Sequence, residues 1–144
     1  MKTIIIATDY SEAANNALQY AAHLACIVNA DLVLFNTYNI SGHASNALIT
    51  PTEIDRLVDK NTKHLKVLAG ETAKKFNLNV SWVSKMHDTV EKLEEYVEAN
   101  GADLVVMGIK SNLIEYTLFG NTTTKVIQRL KFPVLVVPND IPFK

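Results

Sequence analysis

The sequence predicts an α/β fold, a doubly wound sheet of five parallel strands with helices on both faces. Three observations carry this. Four short runs are almost wholly apolar, as strands buried on both faces require, and a fifth half alternates. The segments between them carry apolar residues at helical spacing. The order is strand then helix, four times over, with a closing strand, and strands joined by helices of this length run parallel with right-handed crossovers.

The first strand is Thr3–Ala7, β-branched and apolar, hence central. Thr8-Asp9-Tyr10-Ser11 follows, and either Asp9 or Ser11 can cap the next helix. That helix buries Ala14, Leu18, Ala21, Ala25 and Val28 in one stripe, and its alanines let it sit close to a sheet. Asn29-Ala30 ends it. The second strand is Leu32–Thr37. A long stretch without periodicity, Tyr38–Pro51, comes next, and a loop of that length is usually functional or mobile. Thr52-Glu53-Ile54-Asp55 resembles a capping box with Asp in place of Glu. The helix it opens carries Ile54, Leu57, Val58, Leu65, Leu68, Ala69 and Phe76, with Gly70 interrupting it at modest cost. Asn79–Val83 is the half-alternating, more polar run, which reads as an edge strand. Asp88 starts a helix that turns Val90, Leu93, Tyr96 and Val97 inward, and Asn100-Gly101 closes it. Leu104–Met107 is a buried strand ended by Gly108. Ile109–Phe119 reads as loop, a helix runs from about Asn121 to Leu130, and Phe132-Pro133 stops it. Val134–Val137 is the last strand, followed by a loose tail.

The totals bound the function. The 144 residues make one domain, residues 1–144, and 48% hydrophobic residues suffice for a core without metals or disulfides. A net charge of −1 with scattered lysines argues against a nucleic-acid surface. Cys26 is the lone cysteine, expected as a small buried residue on its helix. Met1-Lys2 leads straight into a strand and no run is long enough to span a bilayer, so the expectation is a cytoplasmic protein with no membrane partner. His23, His43, His64 and His87 lack metal spacing, so no metal site is read. His23 and His64 are expected on helix surfaces. No P-loop and no G-x-S-x-G elbow is present, and no catalytic residue is assigned. A phosphoacceptor domain of the same fold class would want an acidic pair after the first strand, where only Asp9 stands, and an Asp after the third, where Ser84-Lys85 stands.

Ligands of doubly wound sheets sit beyond the carboxyl ends of the strands where the winding reverses. With the first strand central, Thr8-Asp9, Thr37 and the loop Gly108–Thr122 fall there. A strand-to-helix loop directs backbone N–H groups and a helix dipole at one spot, which suits a phosphate. The last strand is apolar yet falls at an edge, which invites pairing with another chain. A homodimer through Val134, Leu135, Val136 and Val137 is expected; the alternative is that the C-terminal tail covers this edge.

The ordered set IIIATDYSEAANNALQYAAHLA, ADLVLFNTYN, HDTVEKLEEYVEANGADLVVMG, the glycine loop, TTKVI and PVLVVP resembles the universal stress protein family over nearly the whole chain. The resemblance implies strand order 3-2-1-4-5 and dimers made by antiparallel pairing of the last strand. It also implies two branches, one binding ATP through G-x2-G-x9-G-[S/T] and one lacking the motif. Here Gly108 matches the first glycine, Ser111 stands for the second, Gly120 matches the third, and Asn121 stands where a hydroxyl residue belongs, with Thr122 one position late. In that registration the loop is one residue short; the other registration puts Asn121 on the third glycine and Thr122 on the hydroxyl. Lys110 adds a cation, Glu115 an opposing charge. Asp9 matches the acidic residue near the ribose, and Thr37 the position whose backbone faces adenine.

The cofactor-binding set implied is therefore Thr8, Asp9, Thr37, Gly108, Lys110, Ser111, Gly120, Asn121 and Thr122. The ligand implied is ATP or AMP with Mg2+, or none if the altered motif has lost its hold. The function expected is a stress-response or signalling module that binds an adenine nucleotide, with at most slow ATP hydrolysis. The alternative is a dimeric family member that works through protein partners alone.

Overall fold

The computed structural model describes residues 2–38, 51–86, 89–109 and 132–138. The elements are β1 (Lys2–Ala7), α1 (Glu12–Val28), β2 (Ala30–Tyr38), α2 (Pro51–Phe76), β3 (Val80–Met86), α3 (Thr89–Asn100), β4 (Leu104–Ile109) and β5 (Val134–Pro138). The loop after Tyr38, His43, His87, Asp88, the helix expected near 121–130 and the C-terminal tail lie outside the described residues.

The strands form one sheet in the order β3-β2-β1-β4-β5, every pair parallel. β1 is central, with Ile5 opposite Val33 on one side and Val105 on the other. Asp103 ties down its start: the Asp103 carboxylate accepts from the Thr3 amide at 2.8 Å, and the Asp103 amide donates to the Thr3 carbonyl at 2.9 Å.

Alternate residues of each strand feed opposite faces. Ile4, Ile6, Leu32, Leu34 and Val106 pack with the α1 alanines and with Leu65 and Ala69 of α2. Ile5, Ala7, Val33, Phe35, Val105 and Met107 pack with Val90 and Leu93 of α3. Both faces of the central strands are thus covered, which is why their sequences are apolar without alternation. Edge strand β3 is wetter, with Ser81, Trp82 and Lys85 exposed, as its polar sequence anticipates. β5 pairs with β4 on one side; Val134, Leu135 and Val136 are half-buried and Val137 is buried.

α1 begins where Ser11 Oγ accepts from the Ala14 amide and ends at Asn29, in the left-handed region with φ 56°. Gly101 takes φ 78° after α3 and donates its amide to the Val97 carbonyl, the expected C-cap.

Four local expectations are corrected. β4 does not stop at Gly108 but runs through it, with Gly108 opposite Val137. α2 starts at Pro51, so Thr52 lies inside the helix and is not its cap; a first-turn proline has no amide to leave unpaired. Gly70 does not interrupt α2, which is continuous to Phe76. Cys26 is exposed, not buried, and its thiol donates to the Phe76 carbonyl at 3.5 Å. His23 and His64 are exposed on their helices as expected.

Candidate functional site

Parallel pairing sets the tips of β1, β2 and β4 side by side at the carboxyl edge. β1 ends its pairing at Ala7 opposite Phe35, and the Thr8 amide extends it by one bond to the Phe35 carbonyl at 2.8 Å. Thr8-Asp9, Thr37 and Gly108 therefore reach one edge of the sheet, beside the first turn of α1. Helices α1 and α2 cover one face and α3 the other, so the winding reverses at β1 and β4.

Thr8 is 6% exposed and bound on three sides. Besides its amide bond, its carbonyl accepts from Asn36 Nδ2 at 2.7 Å and its Oγ1 accepts from the Tyr10 amide at 3.1 Å. Its hydroxyl oxygen thus accepts one bond from the turn and helps hold it, with the O–H donor still to place. Asp9 is exposed. Its Oδ1 accepts from the Ser11 amide at 3.0 Å, while Ser11 Oγ, not Asp9, caps α1. Thr37 is half-buried, one residue before the end of β2 and opposite Lys85 of β3.

Gly108 has a reason of its own for being glycine. A Cβ built there falls on the Ala13 carbonyl, 2.5 Å from its carbon and 3.0 Å from the Ala14 nitrogen. The missing side chain lets β4 press against the start of α1. Lys110, Ser111, Gly120, Asn121 and Thr122 lie outside the described residues.

Two residues central to this geometry went unread in the sequence. Asn36, 3% exposed, fastens the β2 tip to the Thr8 carbonyl, and its Oδ1 has no partner among the described residues. Its one signal was a lone amide in an apolar strand. Tyr10 adopts φ 65°, a region bulky side chains avoid, and only its neighbours in space explain that. Its hydroxyl donates to Asn61 Oδ1 at 3.3 Å, its ring stacks on His64, and burial pushes its pKa up to about 12. Among the described residues no group of three His, Cys, Asp or Glu side chains could hold a metal ion, and no helix is long and apolar enough to cross a membrane.

A parallel sheet in the order 3-2-1-4-5, with a turn bearing an exposed carboxylate at its reversal point, defines a doubly wound α/β protein. The model of the universal stress protein family matches residues 1–138, and the chain belongs to that family. Solved structures agree on the fold. A universal stress protein from Lactobacillus plantarum is 20% identical with a TM-score of 0.76, over 94% of this chain and 97% of that one. A universal stress protein in complex with cAMP is 20% identical with a TM-score of 0.66, over 96% and 98%. A family protein from Arabidopsis thaliana with AMP bound is 11% identical with a TM-score of 0.67, over 96% and 91%. No curated protein sequence matches.

Proposed function

We propose that this chain is a cytoplasmic stress-response module that binds an adenine nucleotide, ATP or AMP, beyond the tips of β1, β2 and β4. The observation that supports it most is the meeting of exposed Asp9, Thr37 and Gly108 at the reversal point of the sheet. The described part of the edge fits the nucleoside half of such a ligand. A carboxylate at Asp9 can accept from ribose hydroxyls, and the backbone at the end of β2 can meet a base edge. The phosphate half falls to Lys110, Ser111, Gly120, Asn121 and Thr122, with Mg2+ accompanying a triphosphate. Two neighbours in fold, one in complex with cAMP and one with AMP bound, favour the same ligand class. We place hydrolysis at slow at most, since the sequence offers no evident general base.

The test is calorimetric titration of ATP and of AMP with magnesium. Binding tighter than about 1 mM (about 4 kcal/mol) supports the reading, and weaker binding of both refutes it. The second reading, a family member acting through protein partners alone, is favoured by Ser111 and Asn121 standing at two motif positions, and the same titration decides between them.

We also propose a homodimer through β5. The strand is apolar and has one partner strand among the described residues, so its other edge is where a second copy would pair. Light scattering at micromolar concentration should give twice the chain mass; a monomer refutes it.

A further inference from the structure

We propose that Tyr10 is the residue that positions Asp9, and that α2 sets its pose through Asn61 and His64. The inference rests on Asp9 belonging to the nucleotide crevice, and it adds a residue that no motif assigns.

Tyr10 holds φ at 65°. For a bulky residue this costs on the order of 1–2 kcal/mol, so surrounding contacts must impose it. The Tyr10 amide donates to Thr8 Oγ1 at 3.1 Å. Its ring lies against the His64 ring, centroids 4.0 Å apart and planes 11° apart. Its hydroxyl donates to Asn61 Oδ1 at 3.3 Å, and Asn61 Nδ2 donates to Ser84 Oγ at 2.8 Å. One line of contacts thus runs from the tip of β1 through α2 to β3.

Asp9 sits between two held residues. Thr8 is fixed by its three bonds, so the freedom left to Asp9 lies mainly in its own ψ and in the φ of Tyr10. If Tyr10 relaxed to negative φ, the peptide joining Asp9 to Tyr10 would turn and the Asp9 Oδ1 bond to the Ser11 amide would break. The carboxylate would then leave its place at the crevice. What prevents this is the grip of α2 on the Tyr10 side chain. That grip matters to α2 as well, because most residues from Pro51 to Lys60 are exposed and the fully buried ones begin at Leu65. Linkage is reciprocal: an occupant that favours this pose of Asp9 also tightens α2 onto the sheet.

The experiment compares the full chain with His64→Ala, with Asn61→Leu/His64→Ala and with Tyr10→Phe. Two readouts are taken: amide hydrogen exchange by NMR without ligand, and titration with ATP and Mg2+. The double variant should speed exchange at Ser11 and Ala14 by about tenfold or more and weaken ATP by about three- to tenfold, while Gly101 at the far end of α3 stays unchanged. Tyr10→Phe keeps the ring stack and should fall between wild type and the double variant. Unchanged Ser11 and Ala14 amides in the double variant overturn the proposal. If that variant fails to fold, His64→Ala alone decides, because its side chain is on the surface: Ser11 must move in it. Should wild type bind no ATP, the nucleotide reading fails by itself, and the exchange readout still decides whether Tyr10 and α2 hold Asp9.

Discussion

Gly108→Ala tests the packing of the site with one methyl group. The added Cβ would meet the Ala13 carbonyl carbon at 2.5 Å and the Ala14 nitrogen at 3.0 Å, where ordinary contact begins near 3.4 Å. Both obstacles are backbone, so no side chain can swing aside. Relief requires β4 and the first turn of α1 to part by about 1 Å. That turn cannot move freely, because Ala13, Ala14 and Ala17 are buried against the sheet and Ser11 is tied to both Asp9 and Ala14. Overpacking of this kind costs about 1–3 kcal/mol, and with backbone on both sides the upper half of that range applies. For a domain of this size, about 2–3 kcal/mol lowers Tm by roughly 6–12 °C. Urea unfolding followed by Trp82 fluorescence, with thermal melts by circular dichroism, measures both. A loss below about 0.5 kcal/mol would show that α1 yields to β4 at little cost and refute the close-packing account of this glycine.

The opposite result is expected at Gly70, where a Cβ meets nothing within 4 Å: Gly70→Ala should raise stability by about 0.5–1 kcal/mol in the same urea series, and a loss would mean α2 is not the continuous helix described. One of the five tyrosines should ionise near pH 12 in an ultraviolet titration, and that step should vanish in Tyr10→Phe. The sign follows from the raised pKa: the buried neutral phenol favours the folded state below pH 10, and this contribution is lost as pH rises from 10 to about 12, so alkaline stability should fall less steeply in Tyr10→Phe. Cys26 should react with a thiol reagent in the native protein, whereas reaction only after denaturation would contradict its exposure.

The fold was legible because its signals are local. Ile4-Ile5-Ile6 and Val105-Val106 are apolar at every position, which only a strand covered on both faces tolerates. Asn79–Val83 is mixed, and the strand it belongs to lies at an edge. The errors arise where a neighbour distant in sequence decides. Nothing near Gly108 in the chain announces the Ala13 carbonyl, so the glycine read as a stop signal. Leu18, Ala22 and Cys26 share one row of α1, which points Cys26 inward by periodicity. That row drifts by about 40° per step round the helix, so by Cys26 it has turned off the face on which Ala25 stays fully buried, and the thiol meets Phe76 instead. At the candidate site, Asp9 and Thr37 could be placed by their position after strands. Tyr10, Asn36, Asn61 and Ser84 could not, since their meeting depends on how α2 lies across β2 and β3.

The central place of β1 has a consequence for the birth of the molecule. Its first partner, β2, follows within a few dozen residues, but its other flank is closed by Leu104, Val105 and Val106, with Asp103 fastening Thr3. At ribosomal speeds of about 5–20 residues per second, the opening segment waits on the order of 5–20 seconds before that flank has been synthesised. For that interval a ribbon of isoleucines stands half-finished, and whatever shields it then, chaperone or nascent neighbour, guards the hub on which the mature architecture turns.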